Sequence, residues 1–234
     1  MTPNEHVNKL SFDQTQNIRN WLRTHDPKDA LGSGYQASIF LYRGPGGEFI
    51  AKKAFGSMIR KKLSEALIRH EEQVYRKLIG IPGIPKCFGL LDTKYLILEY
   101  IPGGSYRTLE HELNDKDHFF SNLLSILNDM HAAGVAHGDL KRKDNILVGP
   151  NQEPFIIDFG VSVLAEGRGG FIFNAIRQAD RNAWIKHKYR GYTSHLSTKD
   201  IEIFKPMRLE KVAKIIRVIW QMLTLRRWRK RRKS

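Results

Sequence analysis

The run HGDLKRKDNILVGPNQEPFIIDFG, residues 137–160, constrains this chain more than any other stretch. Asp139 follows the short run Gly134-Val135-Ala136-His137, Asn145 stands immediately before the apolar Ile146-Leu147-Val148, and Asp158 closes the apolar Phe155-Ile156-Ile157 just ahead of Phe159-Gly160. Two carboxylates and an amide are thereby placed at the ends of short strands. Such a set suits phosphoryl transfer, which asks little covalent chemistry of a protein: one carboxylate near the acceptor hydroxyl, and hard oxygen ligands that hold Mg²⁺ against the triphosphate oxygens. Asp139 fits the first role, Asn145 and Asp158 the second.

Upstream, Leu31-Gly32-Ser33-Gly34-Tyr35-Gln36-Ala37-Ser38-Ile39 opens a strand-rich segment that turns at Gly44-Pro45-Gly46-Gly47 and continues as a strand from Glu48 to Phe55. Glycines let backbone N–H groups approach phosphate oxygens, a use for Gly32 and Gly34 beyond turning the chain. By itself the segment also reads as an ordinary hairpin. In the third strand Lys52 and Lys53 point to opposite faces. An inward ammonium needs an anion; we favour Lys52, which shares a face with Ile50. A helix is expected over residues 59–79, and its Glu71 is the candidate partner of the lysine, against the alternative of a solvated acid, with Glu72 one step round. Ile79-Gly80-Ile81-Pro82-Gly83 ends the helix. Two strands follow, Cys87 to Leu91 and Tyr95 to Ile101, then the linker Pro102-Gly103-Gly104. Beyond it the periodicity becomes helical: Phe119, Phe120, Leu123, Leu124, Ile126, Leu127 and Met130 recur at three-and-four spacing between Asp117 and Ala133. A short helix over Ile18, Trp21 and Leu22 precedes all of this.

Composition enters through charge. The 39 Lys and Arg against 24 Asp and Glu give +15, so anionic partners are attracted over long range. Cys87 is the single cysteine and reads as a small core residue, so a disulfide within the chain and a cysteine zinc cluster are both excluded, and a reducing compartment is expected. The polar MTPNEHVNKLSFDQTQ start and the lack of any eighteen-residue apolar run predict neither signal peptide nor transmembrane helix.

The order of these parts, glycine-rich loop, strand lysine, helix glutamate, linker, helix, His-Gly-Asp, Asn and Asp-Phe-Gly, resembles the protein-kinase-like fold from about Leu31 to Gly160. The resemblance implies an α+β class with two lobes: an N-terminal helical extension (1–30), a small strand-rich N-lobe that binds nucleotide (31–101), a compact helical C-lobe (102–225) and a basic tail (226–234). It makes Asp139 the base or positioner of the acceptor hydroxyl, Asn145 and Asp158 the metal ligands, and Lys52 with Glu71 the phosphate clamp. Gly32 and Gly34 cover the phosphates, and Leu98 to Ile101, with Glu99 and Ile101, form the adenine hinge. His137 braces the loop. ATP and Mg²⁺ are the implied cofactors.

Three departures from ordinary protein kinases narrow the resemblance. Gly138 replaces the Arg that reads a phosphorylated activation loop, so regulation by loop phosphorylation is not expected. Asn145 lies six residues after Asp139 instead of five, leaving open which basic residue of Lys141, Arg142 and Lys143 reaches the γ-phosphate. Ala37 stands for the third loop glycine, and no Ala-Pro-Glu follows Gly160. With LIGIPGIPKCFG, HGDLKRKDNILV and the basic ADRNAWIKHKYR, these features resemble the bacterial lipopolysaccharide-core (Kdo/heptose) sugar kinases and the RIO-type atypical kinases. That likeness implies a sugar hydroxyl of a membrane glycolipid as acceptor. The alternatives are a RIO-like Ser/Thr protein kinase acting on a protein substrate, and a non-catalytic pseudokinase or binding module.

The last segment spaces Val212, Ile215, Ile216, Ile219, Trp220 and Leu223 as an amphipathic helix, and seven of the eight residues from Arg226 to Lys233 are basic, with Trp228 among them. A solvated tail is one reading. The other is an anionic glycolipid or membrane surface, since each Lys or Arg held near an anionic bilayer gains about 1 kcal/mol. Nucleic acid is a weaker third, with no other nucleic-acid-reading feature in the chain. The expected location is cytoplasmic, peripheral on the inner face of the cytoplasmic membrane.

Overall fold

The computed structural model describes residues 8–24, 32–33, 37–54, 58–165, 170–192 and 194–206. Gly34, the helix expected over residues 209–225 and the basic residues 226–234 lie outside them. The chain divides into two units: Met1–Gly80 with Pro85–Ile101, and Ile81–Ile84 with Pro102–Ser234.

The first unit contains α1 (Phe12–Thr24), β1 (Gly32–Ser33), β2 (Ala37–Gly44), β3 (Gly47–Ala54), α2 (Met58–Lys77), β4 (Cys87–Leu91) and β5 (Tyr95–Glu99). The strands form one antiparallel sheet in the order β1-β2-β3-β5-β4. Alternation decides its faces. Phe49 and Ala51 of β3 join Phe40, Tyr42, Leu91 and Ile97 in one core, closed by Ile18 and Leu22 of α1, which are four residues apart and so share a helix face. Burying each of those two aliphatic side chains is worth roughly 1.5–3 kcal/mol, so α1 is part of this core. The opposite register of β3 carries Lys52. Helix α2 buries Ile68, Glu71, Val74 and Tyr75, and Leu78 just past its end continues this stripe at three-and-four spacing with one acid in it. The helix ends two residues before the expected boundary, ahead of Pro82, which cannot continue it.

The second unit contains β6 (Gly104–Ser105), α3 (Tyr106–Leu109), α4 (Lys116–Ala132), β7 (Val135–Ala136), β8 (Ile146–Val148), β9 (Pro154–Ile156), β10 (Val163–Leu164), α5 (Gly170–Lys188) and α6 (Thr198–Ile203). Asp115 caps α4 by accepting the His118 N–H at 2.9 Å. The apolar stripe of α4 buries Phe119, Phe120, Leu123, Ile126, Leu127 and Met130. Trp184 of α5 donates its indole N–H to the Phe120 carbonyl at 2.9 Å, tying the two helices together. Two small antiparallel sheets, β6-β8-β9 and β7-β10, hold the segments that enter and leave the residue 137–160 run. Among the described residues no helix is long and apolar enough to cross a membrane.

Gly103 has no room for a side chain. It sits at φ +144°, and a Cβ there would lie 2.0 Å from the Val148 carbonyl oxygen of β8. Backbone strain of ~1–3 kcal/mol and overpacking of ~1–3 kcal/mol would act together. Gly103→Ala is expected to lower the midpoint of urea unfolding sharply with little change in slope, measured by circular dichroism.

Candidate active site

In the first unit, Lys52 and Lys53 are separated by the pleat as expected. Lys52 is 8% exposed and its Nζ lies 2.8 Å from Glu71 Oε1, itself 2% exposed; Lys53 is exposed, over the ring of Tyr95. Glu72, one step round α2, instead binds Arg76 at the surface. A buried ammonium with a carboxylate partner is positioned and charged, which is what a phosphate ligand requires. Gly32 lies in β1, paired with Ile39 of β2. At the end of β5, Glu99 is engaged within its own unit: its N–H donates to the Lys86 carbonyl at 2.8 Å and its carboxylate accepts the Lys86 N–H at 3.0 Å. Ile101 is buried and is the last residue of the unit. Burial pushes the Cys87 thiol up to about 11, so it remains an inert core residue.

In the second unit, the loop from β7 to β8 is fixed by hydrogen bonds. His137 is fully buried; its Nδ1 accepts the Asp139 N–H at 3.2 Å, so its Nε2–H donates to the Ile157 carbonyl at 2.9 Å. Its ring also lies 5.1 Å from that of buried Phe159. The Asp139 carbonyl accepts the Arg142 N–H at 3.2 Å and the Asn145 side-chain N–H at 3.0 Å. The ends of the loop are therefore set by its own groups, with the Asp139 carboxylate partly exposed. Burial raises the Asp139 carboxyl above the ordinary aspartate value, against the opposing pull of His137, Lys141 and Arg142 and with added push from Asp158. Asp158 has φ +66°, in the left-handed region that Asp and Asn tolerate better than most residues.

Of the three basic residues in the loop, Lys143 pairs with Glu110 beside α3, and Arg142 reaches only to 3.9 Å from Asp139 Oδ2. Lys141 is exposed and makes no ion pair among the described residues, which makes it the free cation closest in sequence to Asp139.

Sequence reasoning missed Asp180. This residue of α5 is 1% exposed and accepts the backbone N–H groups of His137 at 2.7 Å and Gly138 at 3.0 Å, with His131 Nε2 at 3.2 Å. It anchors the loop to α5 and α4 at once. His187, two turns further on, donates Nε2–H to the Leu140 carbonyl at 2.8 Å, and burial holds its imidazole below the usual histidine range. The signal was available: Phe173, Ile176, Asp180, Ala183, Trp184 and His187 follow one apolar stripe, and polar residues on such a stripe are buried and must be hydrogen-bonded. Asp180→Ala leaves two backbone donors facing an apolar gap. A stability loss of about 3–5 kcal/mol is expected by chemical denaturation, with loss of turnover in whatever fraction stays folded.

The family model of the protein kinase domain matches residues 26–190. The chain belongs to the protein kinase domain family. The family's strand-rich N-terminal part and helical C-terminal part agree with the α+β class expected from the sequence. Similar proteins include CBL-interacting protein kinase 28 of Oryza sativa subsp. japonica, 31% identical over 148 residues, 59% of this chain and 33% of that protein. CBL-interacting serine/threonine-protein kinase 19 of Arabidopsis thaliana is 30% identical over 171 residues, 68% of this chain and 34% of the relative. Aurora kinase A-A of Xenopus laevis is 33% identical over 145 residues, 58% of this chain and 35% of the relative. The chain thus spans about a third of the length of these curated relatives.

Protein kinase domains imply the use of ATP and Mg²⁺, and the donor set fits. The Asn145 side-chain N–H is engaged by the Asp139 carbonyl, which leaves its Oδ1 as the neutral oxygen that would serve a metal. Asp158 would add a charged one. Mg²⁺ takes one or two such protein oxygens and completes its shell with water and phosphate.

Proposed function

We propose that this chain is an ATP- and Mg²⁺-dependent phosphotransferase that carries a γ-phosphate to a hydroxyl. The buried Lys52–Glu71 pair supports this most directly, because a sequence selected only for stability gains little from an ion pair inside a core. In this reading Lys52, held by Glu71, binds nucleotide phosphates, and Gly32 and Gly34 bring backbone N–H groups to them. The backbone of Glu99 and Ile101 receives the adenine. Asn145 and Asp158 hold Mg²⁺, which supplies charge neutralisation on the triphosphate. Asp139 orients the acceptor hydroxyl and takes its proton, and Lys141 is the cation available to the transferring phosphoryl group. A binding module without catalysis has no use for all of Lys52, Asp139, Asn145 and Asp158, so we place it last.

For the acceptor we propose a hydroxyl of a lipopolysaccharide-core sugar or a similar anionic membrane glycolipid, modified at the inner membrane face with the basic tail as the surface anchor. The six-residue step from Asp139 to Asn145, Gly138 and the phrase LIGIPGIPKCFG support it. A Ser/Thr protein kinase is the second reading, favoured by the similarity to CBL-interacting serine/threonine-protein kinase 19. Incubation with labelled ATP, Mg²⁺, membrane glycolipid and total cell protein separates the two: label in the glycolipid fraction is expected, and label in protein alone would replace the first reading by the second.

A further inference from the structure

The Asp139–Asn145 loop carries three cations, of which Lys143 is paired with Glu110 while Lys141 and Arg142 stay exposed beside Asp139. Arg107 of α3 holds Asp144 through Nε at 2.8 and 3.0 Å, and Lys143 holds Glu110 while lying 5.7 Å from the Tyr106 ring centroid. The two carboxylates flanking the loop are both engaged. What remains beside Asp139 is Lys141 and Arg142. The Arg142 backbone is fixed on both sides, its N–H to the Asp139 carbonyl at 3.2 Å and its carbonyl to the Asn145 N–H at 3.0 Å. Its side chain is 58% exposed, with Nη1 3.9 Å from Asp139 Oδ2, beyond hydrogen-bond distance. A planar fork of donors on a fixed backbone, mostly exposed and in a long ion pair with the acceptor carboxylate, has donors left for a second anion.

We propose that Arg142 receives a phosphate or carboxylate carried on the same sugar as the hydroxyl that Asp139 positions. The inference rests on the phosphotransferase reading and specifies its acceptor. The sugar is the acceptor proposed above, and Arg142 beside Asp139 adds to it an anion near the reacting hydroxyl. In an extended peptide, successive side chains point to opposite faces and the next on the same face is roughly 7 Å away, whereas neighbouring substituents on one ring lie side by side. Binding the anion also draws the guanidinium off Asp139, leaving that carboxylate free for the hydroxyl proton.

The test uses the full chain with three acceptors: a deacylated lipopolysaccharide-core oligosaccharide, the same oligosaccharide with its phosphates and carboxylates removed or reduced, and a serine peptide with acidic neighbours. The charged oligosaccharide is expected to be preferred over its neutral twin by at least ~10-fold in kcat/KM, the low end for a hydrogen bond to a charged group. Arg142→Gln should raise KM for the charged sugar by a similar factor, abolish the preference and leave KM for ATP unchanged; Arg142→Lys should restore part of it. Equal use of the two oligosaccharides, preference for the acidic peptide, a raised KM for ATP in Arg142→Gln, or Mg²⁺–ATP binding by calorimetry with no sugar phosphorylated would each overturn the inference while leaving the phosphotransferase reading in place. Failure of the wild-type protein to bind Mg²⁺–ATP would overturn both.

Discussion

Asp158→Asn is expected to abolish phosphoryl transfer while the protein stays folded. The position demands a left-handed backbone at φ +66°, which Asn accepts as readily as Asp, so this substitution removes the charge without adding backbone strain. Asp158→Ala would add strain of roughly 1–2 kcal/mol and confuse the two effects. Losing a charged metal ligand should depress kcat by more than the ~10²–10⁴-fold attached to a general acid or base, because the cation neutralises the triphosphate throughout the reaction. Turnover measured across a Mg²⁺ titration checks this, and circular dichroism checks the fold. A variant that keeps wild-type turnover at ordinary Mg²⁺ would remove Asp158 from the site.

Asp139→Asn is expected to lower kcat by ~10²–10⁴-fold, the range for a positioned proton acceptor, with KM for ATP little changed. Its pH profile should differ in kind. Burial raises the Asp139 carboxyl above the ordinary aspartate value of about 3.9. As pH falls through that raised value the carboxylate is protonated and kcat/KM declines, so the acid limb of the wild-type profile begins at a higher pH than an unperturbed aspartate would give. Above it the rate reaches a plateau. In Asp139→Asn the residual rate should lack that limb, and an identical limb in the variant would assign it to another group.

How much of this was legible in the sequence varied with the range of the interaction. The strands of the first unit, α2 and α4 could be read because alternation and three-and-four spacing are local. The lysine face could be chosen because the pleat has period two. Glu71 was identifiable as a partner only with Glu72 as a rival; the stripe Ile68, Glu71, Val74, Leu78 decides between them once the helix phase is known. Asp180 and His187 were read only as part of a basic phrase, although their stripe spacing marks them as buried. The pairs Arg107–Asp144 and Glu110–Lys143 had no local signal, since they join α3 to a loop more than thirty residues later. Whether a charged residue is free or engaged is a long-range property, and the acceptor chemistry depends on it.

Movement of a γ-phosphate to a hydroxyl is directly measurable. Label from γ-labelled ATP, followed into acceptor in the presence of Mg²⁺ and again after chelation with EDTA, tests it most directly. Transfer that requires the metal and is lost in Asp158→Asn is the predicted result. ATP binding with no label in any acceptor, or transfer that survives both chelation and the substitution, would contradict it.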